Sequence, residues 1–203
     1  MILAFDTSSA ACTAALFDGP GECVARRDEI IGRGHSERLV PMIAELLDGR
    51  TAETIIVGVG PGSFTGIRIG IAAANGLAIG WDAEIRGMSS LALLAAGADE
   101  QGEIAAAVTG GHGELFVQQF NATTGEPVSD LFNAAPAVAA AATSAELVLG
   151  SGAWQLVEAR GWGEARDCWP SAADALKLPA ALRSWPPKPL YARAPDARAR
   201  EAA

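Results

Sequence analysis

The chain is poor in the residue types on which much enzyme chemistry depends. It has two histidines in 203 residues. His35 and His112 lie far apart and form no helical i, i+4 pair, so a zinc site is not expected and each reads as a turn or capping residue. Three cysteines, Cys12, Cys23 and Cys168, make no CxxC pair. An odd count without a framework excludes a disulfide scaffold and suggests a reducing compartment. Positive charge is scarce: 15 Lys and Arg against 24 Asp and Glu give a net charge of −9. Such a chain is not expected to hold nucleic acid phosphates unaided. No apolar run reaches the roughly 20 residues of a membrane span. The opening run, Met1 to Phe5, meets Asp6 at once and is too short for the core of a signal peptide. The expected location is therefore the cytoplasm, with no membrane contact.

Several binding signatures are missing as well. No glycine is followed by Lys-Ser or Lys-Thr, so the Walker A spacing fails. Gly60-x-Gly62 is followed by Thr65 where a dinucleotide fingerprint needs a third glycine. Ser63 has Pro61 and Thr65 where a nucleophile elbow needs two glycines. A Ser63, His35 and Asp6 trio can be drawn on paper, as in almost any chain.

What is present centres on Gly60-Pro61-Gly62-Ser63-Phe64-Thr65-Gly66-Ile67-Arg68-Ile69-Gly70. A β-branched run, Thr54 to Val59, precedes it and reads as a buried strand. From Ile69 to Trp81 there is no charge, and Asn75 is the one polar side chain. The stretch is thus a strand, a glycine elbow and a helix over 65–80. Ser63 or Thr65 can cap that helix. The elbow can receive an anion, or it can simply let helix and strand pack closely. The helix is apolar all round, which calls for cover all round. Gly66, Gly70, Ala74 and Ala78 recur at i, i+4 and make one smooth face. That face is covered either by the chain itself or by another protein. Coverage by the sheet on one side and by a 36–48 helix on a flank leaves the smooth face for a partner.

In order, residues 2–6, 12–17 and 22–26 read as a meander of three strands. Asp6, with its hydroxyl-rich turn, either faces a metal-bound water or phosphate, or caps the turn. The helix at 36–48 buries Leu39, Met42, Ile43, Leu46 and Leu47, with Pro41 near its first turn. Residues 84–87 form a strand, and Ser89 or Ser90 caps a helix to Ala98. A second half opens with strands at 103–108 and 115–120 about the turn Thr109-Gly110-Gly111-His112-Gly113. A third strand is expected at 128–132, a helix at 134–142 and a strand at 147–149. Residues 179–203 read as extended, ending in a basic tail with Arg193, Arg198 and Arg200. Both halves open as strand, turn, strand, a weak internal repeat with its boundary near Gly102.

Two such lobes, with an acidic residue after the first strand, suggest an actin-like architecture. Here the sequence resembles one family. Residues 2–17 (ILAFDTSSAACTAALF), His35-Ser36 to Pro41 and above all GPGSFTGIRIG at 60–70 are similar to the TsaB (YeaZ) family. Leu190-Tyr191-Ala192-Arg193 resembles that family's closing motif, with Ala192 in place of leucine. The resemblance implies an α/β, actin-like ATPase (ASKHA, RNase H-like) fold of two lobes, each a mixed sheet with flanking helices. Residues 1–101 would be the lobe carrying the partner helices, and 102–203 a smaller, degenerate lobe with an extended tail. It also implies a non-catalytic subunit in the making of threonylcarbamoyladenosine in tRNA. There TsaD transfers the threonylcarbamoyl group, TsaB is its inactive paralogue, and TsaE is the ATPase that joins them. The expected partners are TsaD and TsaE, or a second copy when TsaD is absent, with tRNA reached only through the complex. The partner-binding candidates are Ser36, Leu39, Val40, Ile43, Gly66, Arg68, Ile69, Gly70, Ala73, Ala74 and Leu77. A vestigial nucleotide cleft would be lined by Asp6, Thr7, Ser8, Gly60, Gly62, Ser63, Gly110 and Gly111. Relatives carry Asp-Ala-Arg where this chain has Thr109, Gly110 and Gly111, which removes a carboxylate and a cation from the cleft. No catalytic residue, metal or cofactor is expected. The alternatives are an actin-like ATPase or small-molecule kinase using Asp6, and, behind these, a peptidase of the glycoprotease type.

Overall fold

The computed structural model describes residues 1–19 and 21–191. The first half runs β1 (Ile2–Asp6), β2 (Ala11–Asp18), β3 (Glu22–Ile30), α1 (His35–Leu47), β4 (Thr54–Gly58), α2 (Phe64–Trp81), β5 (Glu84–Met88) and α3 (Ser90–Ala96). The second runs β6 (Glu103–Thr109), β7 (Leu115–Asn121), β8 (Phe132–Ala134), α4 (Pro136–Ala142), β9 (Leu147–Leu149), α5 (Ala153–Arg160) and β10 (Glu164–Arg166).

The repeat suspected in the sequence is a repeat of topology. The first sheet has the order β3-β2-β1-β4-β5, with the β1–β2 and β2–β3 pairs antiparallel and the β1–β4 and β4–β5 pairs parallel. The second has the order β10-β9-β6-β7-β8, with β6–β7 and β7–β8 antiparallel and β6–β9 and β9–β10 parallel. Strands β6 to β10 therefore occupy the places of β1 to β5. This is the two-lobed, actin-like α/β fold with an RNase H-like sheet in each half. The connections fit the pairing: turns and loops without an α-helix join antiparallel neighbours, and helices cross between parallel ones.

In the first half, α1 lays Leu39, Met42, Ile43, Leu46 and Leu47 into one cluster with Leu3, Phe5, Ile55 and Val57 of the sheet. Arg38 ties α1 to β3 through an ion pair with Glu29 at 2.6 Å, and it pairs within α1 with Glu45 at 2.8 Å. Those guanidinium bonds hold both carboxyls below their usual range. Pro41 lies inside α1, well past the first turn where it was expected. On the other side of the sheet, α3 joins the halves. Its Leu91, Leu93 and Leu94 share a buried cluster with Phe17 and Ile56 of the first sheet and with Phe116, Phe120 and Leu149 of the second.

Several local expectations need correction. Strand β3 extends to Ile30. The strand expected at 128–132 is reduced to Phe132–Ala134. Ser129 Oγ accepts from Gln119 N–H and Gln118 donates to the Ser129 carbonyl, so beside the backbone bond from Val128 N–H to the Gln119 carbonyl the contact there is made by side chains. Helix α5 and strand β10 were not foreseen. Residues 171–190 return to the first half in short 3-10 turns, Ala172–Lys177 and Ala180–Leu182. Ala172 N–H donates to Thr13 Oγ1, Trp185 exchanges backbone bonds with Gly87, and Leu190 N–H donates to the Val59 carbonyl. The expected basic tail, and Ala192 and Arg193 of the closing motif, lie outside the described residues.

Candidate functional site

The elbow after β4 shows why its glycines are where they are. Ser63 is the N-cap of α2 and its hydroxyl accepts from Gly66 N–H at 3.2 Å. Ser63 N–H donates to the Ser8 carbonyl at 2.6 Å. A Cβ at Gly62 would overlap that same carbonyl, and one at Gly66 would overlap the carbonyl of Thr7. At Gly70 it would come to 2.7 Å from Thr7 Oγ1. The glycines of the elbow thus let the start of α2 pack closely on the backbone of Thr7 and Ser8.

This overturns the expectation for α2. The smooth face, Gly66, Gly70, Ala74 and Ala78, is buried against the chain's own first sheet, not turned to a partner. Gly66 must be small because the helix there sits on the backbone of Thr7, and Gly70 because it meets the side chains of Thr7 and Val57. Two large apolar groups of α2 are exposed instead: Ile79 by 87% and Phe64 by 55%. Ala72, Gly76 and Gly80 are exposed beside them. On α1, Val40 is 49% exposed, and Ser36 is exposed too. Of the other partner-binding candidates, Leu39 and Ile43 are core residues, which removes them from any outer surface. Ile69, Ala73 and Leu77 are half-buried along the flanks of α2, and Arg68 is exposed. The outward strip was legible only once the inner one was known.

Between the two sheets lies a cleft of about 930 Å³. Ser8 and Ser9, the elbow at Gly62 and Ser63, and the start of α2 form its first wall. Thr109, Gly110, Gly111 and His112 form the second, with Phe116 and Ser151. The 110–114 turn closes through Gly110 N–H to the Glu114 carbonyl at 2.7 Å. His112 takes a left-handed conformation in it, φ 62°. Thr109 N–H donates to Ser151 Oγ at 3.1 Å, and the two hydroxyls lie 3.3 Å apart. At the rim, Tyr191 and Phe64 stack with centroids 5.6 Å apart. The Arg68 guanidinium carbon is 3.8 Å from the Phe64 centroid, and its Nε donates to the Tyr191 hydroxyl at 3.0 Å. A cation held on a ring face is attracted by the ring quadrupole.

Five of the eight expected cleft residues line this cavity: Ser8, Gly62, Ser63, Gly110 and Gly111. Asp6, Thr7 and Gly60 do not. Asp6 is fully buried, and its carboxylate accepts from Ser8 N–H and Ser8 Oγ at 2.7 Å and from Ser90 Oγ at 2.5 Å. Gly58 beneath it leaves no room for a side chain. So Asp6 is a turn cap inside its own lobe, the second of the two roles considered for it. Thr7 Oγ1 donates to the Gly66 carbonyl at 2.7 Å, and Gly60 exchanges bonds with Ser90. Ser90 gathers Asp6, Gly60 and the start of α3 into one network. Sequence reasoning saw it only as an alternative cap, and Ser89 takes that role. His35 is buried, with Nε2 3.2 Å from the Ala11 carbonyl, and pins α1 to β2.

None of the described residues lining the cleft is Asp or Glu. The lining thus offers no carboxylate to a divalent cation. Among the described residues, no group of three His, Cys, Asp or Glu is placed to hold a metal ion. None of their helices is long and apolar enough to cross a membrane.

Residues 27–147 match the family model described as TsaD: tRNA N6-adenosine threonylcarbamoyltransferase. The chain is 38% identical over 128 residues to the tRNA threonylcarbamoyladenosine biosynthesis protein TsaB of Escherichia coli (strain K12), over 59% of this chain and 54% of that protein. The chain spans about half the length of the curated relatives it matches. Among solved structures, an uncharacterized protein with similarity to peptidase YeaZ from Pseudomonas aeruginosa superposes with a TM-score of 0.81 at 30% identity. That match covers 95% of this chain and 99% of that one. YeaZ from Pseudomonas aeruginosa superposes with a TM-score of 0.78 at 28% identity, over 94% and 98%.

Proposed function

The chain belongs to the TsaB (YeaZ) family, and from that premise we propose that it serves tRNA threonylcarbamoyladenosine biosynthesis as a non-catalytic subunit that docks a TsaD-type protein. The observation that carries this reading is the outward face of α2. It presents Ala72, Gly76, Ile79 and Gly80 to solvent beside Arg68 and Asn75, with Val40 of α1 exposed on the neighbouring helix. An exposed face of small and apolar residues with few charges, as here, fits an interaction surface. A partner of like fold would offer the same pair of helices, and two such pairs form a four-helix contact of pseudo-twofold symmetry. The match of residues 27–147 to a TsaD model supports a partner of like fold. In the absence of TsaD a second copy of the chain takes the same place. TsaE joins the assembled pair, and tRNA is reached through the complex, as the −9 charge favours. In this reading residues 1–101 carry the docking helices and 102–203 form the smaller lobe.

A catalytic role for Asp6 is disfavoured because its carboxylate is committed to Ser8 and Ser90. The test is reconstitution. A TsaD-type enzyme from the same source is given threonylcarbamoyl adenylate and a tRNA transcript, with and without this chain. The reading expects no modified adenosine from the chain alone and a large gain when it is added to the enzyme. Modification by the chain alone, or no gain on adding it, counts against the reading.

A further inference from the structure

The cleft between the lobes has a chemistry that docking at α2 does not explain. In a chain with 24 acidic side chains against 15 basic, no described residue lining a cavity of about 930 Å³ is acidic. The lining supplies a guanidinium, at Arg68, and four aromatic rings, Phe64, Phe116, Trp169 and Tyr191. Arg68 lies over Phe64, and its Nε donates to Tyr191. Its two terminal nitrogens make no hydrogen bond to any described residue. A cation already ordered by ring contacts loses little further freedom on meeting an anion. The first turn of α2 brings its positive end to the same wall. Ser8, Ser9 and Thr65 add hydroxyls. The volume lies in the range of pockets that take small molecules, roughly 300–1,000 Å³.

We infer that this cleft binds a planar aromatic compound carrying one anionic group, and that it does so without a metal ion. The aromatic lining takes the ring, and Arg68 with the start of α2 takes the anion. A metal-bound triphosphate is a poor match, because no described lining residue carries a carboxylate and Asp6 is bonded within its own lobe. The threonine at position 109 works in the same sense. Thr109 bonds to Ser151 and brings no carboxylate to that wall.

The test is isothermal titration of the full chain in EDTA with phenyl phosphate, adenosine monophosphate and benzoate, with adenosine and inorganic phosphate as controls. The inference expects saturable binding of at least one aromatic anion, the same with magnesium as with EDTA, and at least tenfold weaker binding of both controls. Which of the three binds separates an aryl phosphate, a nucleotide and an aryl carboxylate. Arg68→Ala and Thr109→Asp act on opposite walls, and each should weaken binding at least tenfold in protein that melts as wild type does. Should one variant fail to fold, the other decides. Three results would each overturn the inference: no saturable binding of any aromatic anion at millimolar concentration, binding that needs magnesium, or binding unchanged in the folded variants.

Discussion

The α-carbon of Gly66 rests so closely on the carbonyl oxygen of Thr7 that any Cβ at position 66 would overlap it. Thr7 Oγ1 completes the contact by donating to the Gly66 carbonyl at 2.7 Å. The first turn of α2 is therefore seated on backbone, which cannot move aside as a flexible side chain can. Gly66→Ala should destabilise the fold by about 1–3 kcal/mol or more, although alanine is the better helix former. A thermal melt checks this, and a Tm equal to or above that of the wild type would show that the contact is looser than drawn.

The buried carboxylate of Asp6 takes three hydrogen bonds from Ser8 and Ser90. Asp6→Ala leaves those donors without their acceptor in a dry site, a cost of about 1–3 kcal/mol. Ser90→Ala removes one donor to Asp6 and the acceptor for Gly60 N–H. Both variants should lower the denaturation midpoint. A variant that keeps full stability but loses function would instead restore a chemical role for Asp6.

Arg38 lowers the pKa of Glu29 and of Glu45, in each case chiefly through its hydrogen bond to the carboxylate. A carboxyl with a folded pKa below its unfolded one stabilises the fold above the unfolded value. It loses that contribution as pH falls through the folded one. The gap in Tm between wild type and Arg38→Ala should therefore be present at neutral pH and close in acid, below the usual carboxylate range. These groups are partly open to water, so the gap is small and shrinks in salt. A gap that widens in acid would contradict the assignment.

Much of the fold was legible because its signals are local. The β-branched run before Gly60, the Ser63 cap and the strand-turn-strand opening of each half all name their own structure. The orientation of α2 was not. A stripe of Gly66, Gly70, Ala74 and Ala78 looks the same whether a sheet or another protein lies against it, and only the position of Thr7 decides. Asp6 was ambiguous for the same reason, since its donors include Ser90, distant in sequence. Helix α5 gave little signal: its N-cap is Gly152 without a side-chain bond, and its buried residues are Ala153 and Leu156. The return of residues 171–190 rests on backbone bonds to Gly87 and Val59, which no sequence pattern announces.

The central claim is that the outward face of α2 docks a TsaD-type protein. Ile79 is its most exposed large side chain and takes no part in the core, so Ile79→Arg leaves the fold intact. The decisive measurement is the affinity of wild type and Ile79→Arg for the TsaD-type protein of the same organism, by isothermal titration. The account predicts a loss of at least tenfold, about 1.4 kcal/mol, with an unchanged melting curve. Equal affinity of the two, in protein that melts alike, would contradict it.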